Sequence, residues 1–187
     1  MAQVGTNEFK SGLKVEVDGE PYTIISVEFV KPGKGTPFTR TKIKHLKSGK
    51  VVERTYKSGE KLDIADVEET KGRLVYKEPD SIVFMDEQSY EQVSIPKSVI
   101  GDKEQWLMEE VIYDIVFYKG NPIEVVPPTF ITMKITRCDP GARGDTSGRV
   151  LKPATTETGA IIQVPIFVEE GETIKIDTRN GEYVSRV

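Results

Sequence analysis

Over much of the chain, apolar and charged residues alternate with a period of two. Leu13, Val15 and Val17 alternate with Lys14, Glu16 and Asp18, and an apolar run follows from Tyr22 to Val30. A strand turns successive side chains to opposite faces, so this pattern predicts β-strands along the chain. Turn signals punctuate them at Asp18-Gly19, Pro32-Gly33-Lys34-Gly35, Ser48-Gly49, Ser58-Gly59, Gly120-Asn121, Gly171 and Asn180-Gly181. Asp-Gly and Asn-Gly between alternating stretches are hairpin signals, because both turn residues reach positive φ. Many short strands with little helix read as an all-β protein of small barrels or sandwiches. One short helix is predicted from Asp102 to Leu107, with Asp102 as its cap and Gln105 three residues on.

Two boundaries divide the pattern. Pro127-Pro128 is a stiff extended dipeptide that has no place inside a central strand, and the charge changes sign near Ile64 to Asp66. Three β-domains are therefore expected, at residues 1–65, 66–127 and 128–187.

Composition narrows the chemistry. Of the 187 residues, 37% are hydrophobic and 30% charged, with no run long enough to cross a bilayer and no N-terminal apolar segment like a signal peptide, so no membrane partner and a cytoplasmic location are expected. Cys138 is the only cysteine, which excludes an intramolecular disulfide and a cysteine cluster for zinc and reads as a buried, inert thiol. His45 is the only histidine, which argues against a histidine-rich metal site or a serine-histidine-aspartate triad. No catalytic residue, metal site or dissociable cofactor is expected, and the chain does not read as an enzyme.

The net charge of -4 hides an uneven distribution. Residues 1–64 hold 12 Lys/Arg and 8 Asp/Glu, residues 65–127 hold 6 and 14, and residues 128–187 hold 8 and 8. From Lys31 to Lys61 ten basic residues stand against only Glu53 and Glu60. Such a local excess inside an acidic protein is a footprint for a polyanion.

At the head of that stretch lies Lys-Pro-Gly-Lys-Gly-Thr-Pro-Phe, residues 31–38. Glycines on both sides of Lys34 remove side-chain bulk and permit positive φ, while Pro32 and Pro37 stiffen the flanks. Lys34 becomes a mobile cation with a nucleophilic amine at a hairpin tip. In the strand that follows, Arg40, Lys42 and Lys44 share one face and Thr41, Ile43 and His45 the other; Arg54, on the next strand, is expected to extend the basic surface. Tyr56 offers a stacking face for a base or a core side chain, and His45 reads as a boundary residue rather than a catalytic base. The glycines are not a nucleotide loop, since Gly33-Lys34-Gly35-Thr36 lacks the spacer and ending of a P-loop.

Val30-Lys31-Pro32-Gly33-Lys34-Gly35 resembles the tip of bacterial translation elongation factor P, and the resemblance runs through most of the chain. It continues in Asp139-Pro140-Gly141, Gly144-Asp145-Thr146, Lys152-Pro153-Ala154, Gly159, Ile162, Val164-Pro165, Val168 and Gly171. The ending Asp177-Thr178-Arg179 with Gly181-Glu182-Tyr183-Val184-Ser185-Arg186 is also similar. The resemblance implies three small β-barrels in an L-shaped, tRNA-like arrangement, a KOW/SH3-like first domain followed by two OB-like domains. It also implies a factor that binds the ribosome between the P and E sites and promotes peptide-bond formation at consecutive prolines by positioning P-site peptidyl-tRNA, especially prolyl-tRNA.

Residue by residue, Lys34 matches the position that a lysine-modifying enzyme extends in the family, often with a β-lysyl group; the identity of the adduct here is open, since Thr36-Pro37 departs from many relatives. Lys31, Arg40, Lys42 and Arg54 match positions that hold the tRNA acceptor arm, with Gly33 and Gly35 in the same RNA-facing tip. Gly144, Asp145 and Thr146 match a loop near the E-site mRNA and the small subunit, and Tyr183 and Arg186 a segment near the anticodon arm. The acidic middle domain is expected to face solvent or a basic partner such as the E-site stalk protein of the large subunit, and a monomer is expected. Two rivals remain on the residues alone: a carrier domain whose hairpin lysine bears biotin or lipoate, and a generic OB-fold nucleic-acid binder, which needs no privileged lysine.

Overall fold

The computed structural model describes residues 2–141 and 150–187. These residues are almost entirely strand and turn, as the alternation predicts. The first six strands are β1 (Gln3–Gly5), β2 (Lys14–Val17), β3 (Glu20–Val30), β4 (Phe38–His45), β5 (Val51–Lys57) and β6 (Lys61–Ile64). They form one antiparallel, barrel-like sheet in the order β1-β6-β2-β3-β4-β5. Asp18 (φ 52°) and Gly19 (φ 78°) make the tight β2–β3 turn that their sequence predicts.

The core of this sheet is Val4, Phe9, Val15, Val17, Ile24 and Ile43, with Leu13, Tyr22, Val27, Val52, Tyr56 and Leu62 packed against it. Fully burying one such aliphatic side chain contributes about 1.5–3 kcal/mol, so a handful of them fixes which face of β3 and β4 looks inward. A β-bulge between Ile24 and Ser26 shifts the β3–β4 register by one residue. Beyond the bulge β3, β4 and β5 continue together, with Val30 opposite Phe38 and Phe38 opposite Lys57, and carry the segment Lys31 to Pro37 at their end.

A second sheet holds β7 (Val67–Lys77), β8 (Ser81–Asp86), β9 (Gln92–Pro96), β10 (Ile112–Tyr118) and β11 (Asn121–Val126) in the order β11-β10-β7-β8-β9. The β10–β11 turn falls on Lys119 (φ 49°) and Gly120 (φ 80°), one residue earlier than the Gly120-Asn121 pair suggests, and Asn121 opens the next strand. The third sheet runs β14-β13-β12-β15-β16, from β12 (Phe130–Cys138), β13 (Leu151–Thr156), β14 (Ile161–Pro165), β15 (Thr173–Asp177) and β16 (Glu182–Arg186). Its core gathers Ile131, Met133, Ile135, Ala154, Ile162, Val164, Ile174 and Ile176, with Trp106 buried among them. Cys138 is half-buried and free, with its thiol 3.6 Å from the Val168 carbonyl.

By packing, the chain gathers into two compact units, one of residues up to Glu69 with Ile115–Glu124, the other of Thr70–Asp114 with Val125–Val187. In the first unit the Tyr118 hydroxyl donates to Glu16 Oε1 at 2.7 Å, and Lys119 Nζ reaches the same oxygen at 3.3 Å.

The predicted helix is where the structure departs most from the pattern. A single α-turn, α1 (Lys97–Ile100), starts behind Pro96, and Gly101–Trp106 continues as 3-10 helix. Asp102 therefore sits inside the first 3-10 turn and makes no side-chain cap. Gly101 (φ 61°) breaks the α-helical path and Trp106 goes into the third sheet's core, so tertiary packing sets the geometry.

Candidate functional site

Residues 31–37 are all exposed, and Lys34 stands at the end of the β3–β4 hairpin. Its two glycines do different work. Gly35 has φ +112°, a conformation costly for any residue with a Cβ, whereas Gly33 has an ordinary φ and open space where a Cβ would stand. The foot of the tip is tied on its far side, where the Ser58 amide donates to the Pro37 carbonyl at 3.2 Å. A cation is thus held out from a three-stranded neck, on a loop whose curvature depends on one glycine.

The neck has two faces, set by the cross-strand register. Ser26, Lys42 and Glu53 form one row of the outer face; Glu28, Arg40 and Thr55 form the next, and Val30, Phe38 and Lys57 the row nearest the tip. Arg40, Lys42 and Lys44 are exposed on this face, as the alternation predicts. Among the described residues Lys31, Lys34, Lys42, Lys44 and Lys57 have no carboxylate at ion-pair distance. Arg40 differs: its guanidinium lies 3.5 Å from Glu28 and 3.5 Å from Glu53, and 5.9 Å from the Phe38 ring centroid.

Arg54 does not join that face. It pairs across from Thr41, so it projects from the opposite side of the sheet, where it lies 3.7 Å from Asp18. Its expected role as an extension of the Arg40–Lys42 surface is corrected accordingly. That inner face carries the rows Val27, Thr41, Arg54 and Phe29, Thr39, Tyr56. Thr39 and Thr41 are buried, while Phe29 is 58% exposed. Tyr56 belongs to the core, its ring edge-on to Phe9 at 5.7 Å; burial raises its hydroxyl pKa and leaves the hydroxyl without a hydrogen-bond partner. It offers no free stacking face.

His45 is a boundary residue with its hydrogen bonds filled. The Ser48 amide donates to Nδ1 at 3.1 Å, which assigns the proton to Nε2, 3.0 Å from Glu20 Oε2. Lys47 lies 3.1 Å from the same carboxylate, and hydrogen bonds from His45 and Lys47 hold Glu20 below the usual carboxylate range. The ring has no free nitrogen for catalysis.

In the third sheet Tyr183 is half-buried against the core and pairs across from Ile176. Arg186 is 3.1 Å from Glu172, with its guanidinium 4.7 Å from the Phe167 ring centroid. Gly144, Asp145 and Thr146 lie outside the described residues. Among those described, no group of three or more His, Cys, Asp or Glu side chains is arranged to hold a metal ion, and no helix is long and apolar enough to cross a membrane. The only chemistry the tip offers is that of an accessible primary amine, suited to covalent extension or to contact with an anion.

Sequence reasoning overlooked three residues of the neck. Glu28 and Glu53 flank Arg40, a placement that depends on register across three strands. Phe29 reads as one more apolar residue in the run from Tyr22 to Val30, and nothing local marks it as exposed.

Comparison with known proteins covers nearly the whole chain. Residues 5–62 match the family model described as the elongation factor P KOW-like domain, residues 67–125 that of its OB domain, and residues 131–186 that of its C-terminal domain. The chain is 61% identical over 188 aligned residues to Elongation factor P 2 of Protochlamydia amoebophila, covering 100% of this chain and 99% of that protein. It is 53% identical, with the same coverage, to Elongation factor P 2 of Chlamydia caviae. Among solved structures, the Eukaryotic translation initiation factor 5A from Methanococcus jannaschii superimposes with a TM-score of 0.55 at 23% identity, over 67% of this chain and 92% of that one, a likeness of fold.

Proposed function

Because the chain belongs to the elongation factor P family, translation elongation factors that are not enzymes in the catalytic sense, we propose that it binds the ribosome between the P and E sites and speeds peptide-bond formation at consecutive prolines. The observation that carries this reading is Lys34, exposed at the end of a β-hairpin whose outer face bears the unpaired cations Lys42 and Lys44. Proline is a rigid secondary amine, and a chain of prolines holds the reacting ends out of alignment. A factor that fixes the P-site tRNA supplies orientation and no proton, an entropic contribution that can account for several kcal/mol of a barrier.

In this reading Lys31, Lys42 and Arg40 hold the acceptor arm through phosphates, contacts that position RNA without reading its sequence. Lys34, covalently extended by a modifying enzyme, reaches toward the end of the tRNA. Arg54 contributes from the other side of the neck. Tyr183 and Arg186 serve the third sheet's approach to the anticodon arm, with Arg186 drawn from its pair with Glu172. The acidic middle sheet meets a basic ribosomal protein or solvent.

Intact mass and peptide mapping of protein from its native host test the tip directly. The expected result is an adduct on Lys34 that carries an amine or hydroxyl able to bond RNA. A biotinyl or lipoyl adduct at that lysine would make the chain a carrier and overturn the proposal.

A further inference from the structure

Phe29 is the aromatic side chain on the hairpin neck for which packing gives no account. It lies on the inner face in a row with Thr39 and Tyr56, and whereas Thr39 is buried and Tyr56 half-buried, the Phe29 ring is 58% exposed. Phe130 and Phe167, also exposed, are each covered by a cation, Lys175 at 4.6 Å and Arg186 at 4.7 Å. Phe29 has no ring or cation partner among the described residues.

Cations stand close to it, with Asp18 and Glu60 nearer to Arg54 and Tyr56. Lys31 follows two residues on, about 7 Å along an extended chain. Arg54 lies in the adjacent row of the same face, whereas Lys57 belongs to the outer face with Val30 and Phe38. The adjacent acid in the chain, Glu28, points to the other face toward Arg40, and Asp18 is already near Arg54. On β3 the stretch from Ser26 to Val30 runs past the end of β2, which pairs only with Glu20 to Thr23, so no other strand covers that edge. An exposed aromatic ring with an unpaired lysine and an arginine on its side of the sheet is an arrangement that binds an unpaired nucleotide: the base stacks and the neighbouring phosphates meet the cations.

We infer that Phe29 is a stacking platform for an unpaired RNA base, which positions the RNA end beside Lys34. The inference rests on the reading of Lys34 as an RNA-facing tip and adds to it a sequence-tolerant contact on the opposite side of the neck from Arg40 and Lys42. A protein surface, such as that of the lysine-modifying enzyme, is the competing occupant; the free cation Lys31 beside the ring and Arg54 in the adjacent row favour RNA.

The experiment compares wild type, Phe29→Ala, Phe29→Leu and Phe29→Trp in reconstituted translation of a consecutive-proline message, each with the same Lys34 state confirmed by mass. Lys34→Ala runs alongside. The inference predicts that Phe29→Ala and Phe29→Leu raise the concentration for half-maximal effect about tenfold, that Phe29→Trp retains wild-type behaviour, and that a benzophenone amino acid at position 29 crosslinks to RNA. Leu performing as well as Trp would reduce the ring to a hydrophobic filler and overturn the inference. So would crosslinks confined to protein, or wild-type behaviour of Phe29→Ala once its Lys34 state is matched, since the ring then serves the modifying enzyme. If Lys34→Ala is inactive while Phe29→Ala is unaffected, the stacking platform alone fails; if Lys34→Ala is fully active, the reading beneath it fails.

Discussion

Replacing Glu53 by glutamine should make the protein bind the ribosome more tightly. Glu53 lies 3.5 Å from Arg40 and directly across from Lys42, on the face that presents the neck's cations. Two unit charges at about 4 Å interact by ~1 kcal/mol in water and ~4 kcal/mol at an effective dielectric of 20. The Arg40 and Glu53 side chains are 45% and 53% exposed, so the pair sits near the aqueous limit and is worth at most about 1 kcal/mol. Glutamine at this position releases Arg40 from one of its two carboxylates and removes a negative charge from the path of an incoming phosphate. Together these effects amount to roughly 0.5–1.5 kcal/mol, or about 2- to 10-fold in affinity. Anisotropy titration of labelled protein against ribosomes at about 0.1 M and 0.5 M salt reads the effect, and the gain should shrink as screening shortens the reach of the charge. Unchanged or weaker binding at low salt would refute the assignment of this face to RNA.

Four further outcomes follow from the same geometry. Lys42→Ala should weaken ribosome binding and lower the slope of log affinity against log salt by about 1, whereas Arg54→Ala, from the opposite face and close to Asp18, should change both less; equal effects in the salt titration would contradict the two-faced neck. Gly35→Ala should distort the tip, at a local cost of about 1–2 kcal/mol, and Gly33→Ala should leave its fold intact, as amide chemical shifts of residues 31–38 will report. Tyr118→Phe should destabilise the first unit by about 1.5–3 kcal/mol in urea unfolding through loss of the bond to Glu16, while Phe at the exposed Tyr76 changes little. Asp177 is held below the usual carboxylate range by the Arg179 side chain and amide, so its contribution is present above the unfolded pKa and is lost as pH falls through the lower folded value; Asp177→Asn should cost stability at neutral pH and flatten the acid limb of a stability–pH curve below roughly pH 4.

The strands, the Asp18-Gly19 turn and the exposed tip were legible because each rests on local chemistry: alternation of burial, positive φ, and the absence of a large aliphatic or aromatic side chain from Lys31 to Pro37. The Arg40–Lys42–Lys44 face was legible for the same reason. Arg54 was not, because which face it occupies depends on how β5 registers against β4, with Thr41 opposite Arg54 rather than opposite Glu53 or Thr55. The bulge at Ile24 and Ser26 similarly leaves no mark in the run of apolar residues, yet it decides that Phe29 follows Val27 rather than Glu28 on the inner face. Asp102 looked like a cap because the capping pattern is local, while the position of the turn is set by Trp106 entering a core built largely from residues that come after it in the sequence. Positions fixed by non-local register and packing are where reading from sequence ran out.

The central proposal is that Lys34 at the hairpin tip is required for the acceleration of synthesis through consecutive prolines. Single-turnover peptide-bond formation on ribosomes paused at a triple-proline sequence, with wild-type protein and with Lys34→Ala at concentrations that saturate binding, measures it most directly. The account predicts that Lys34→Ala binds yet leaves the rate at the factor-free level. A rate equal to that of the wild type would contradict it.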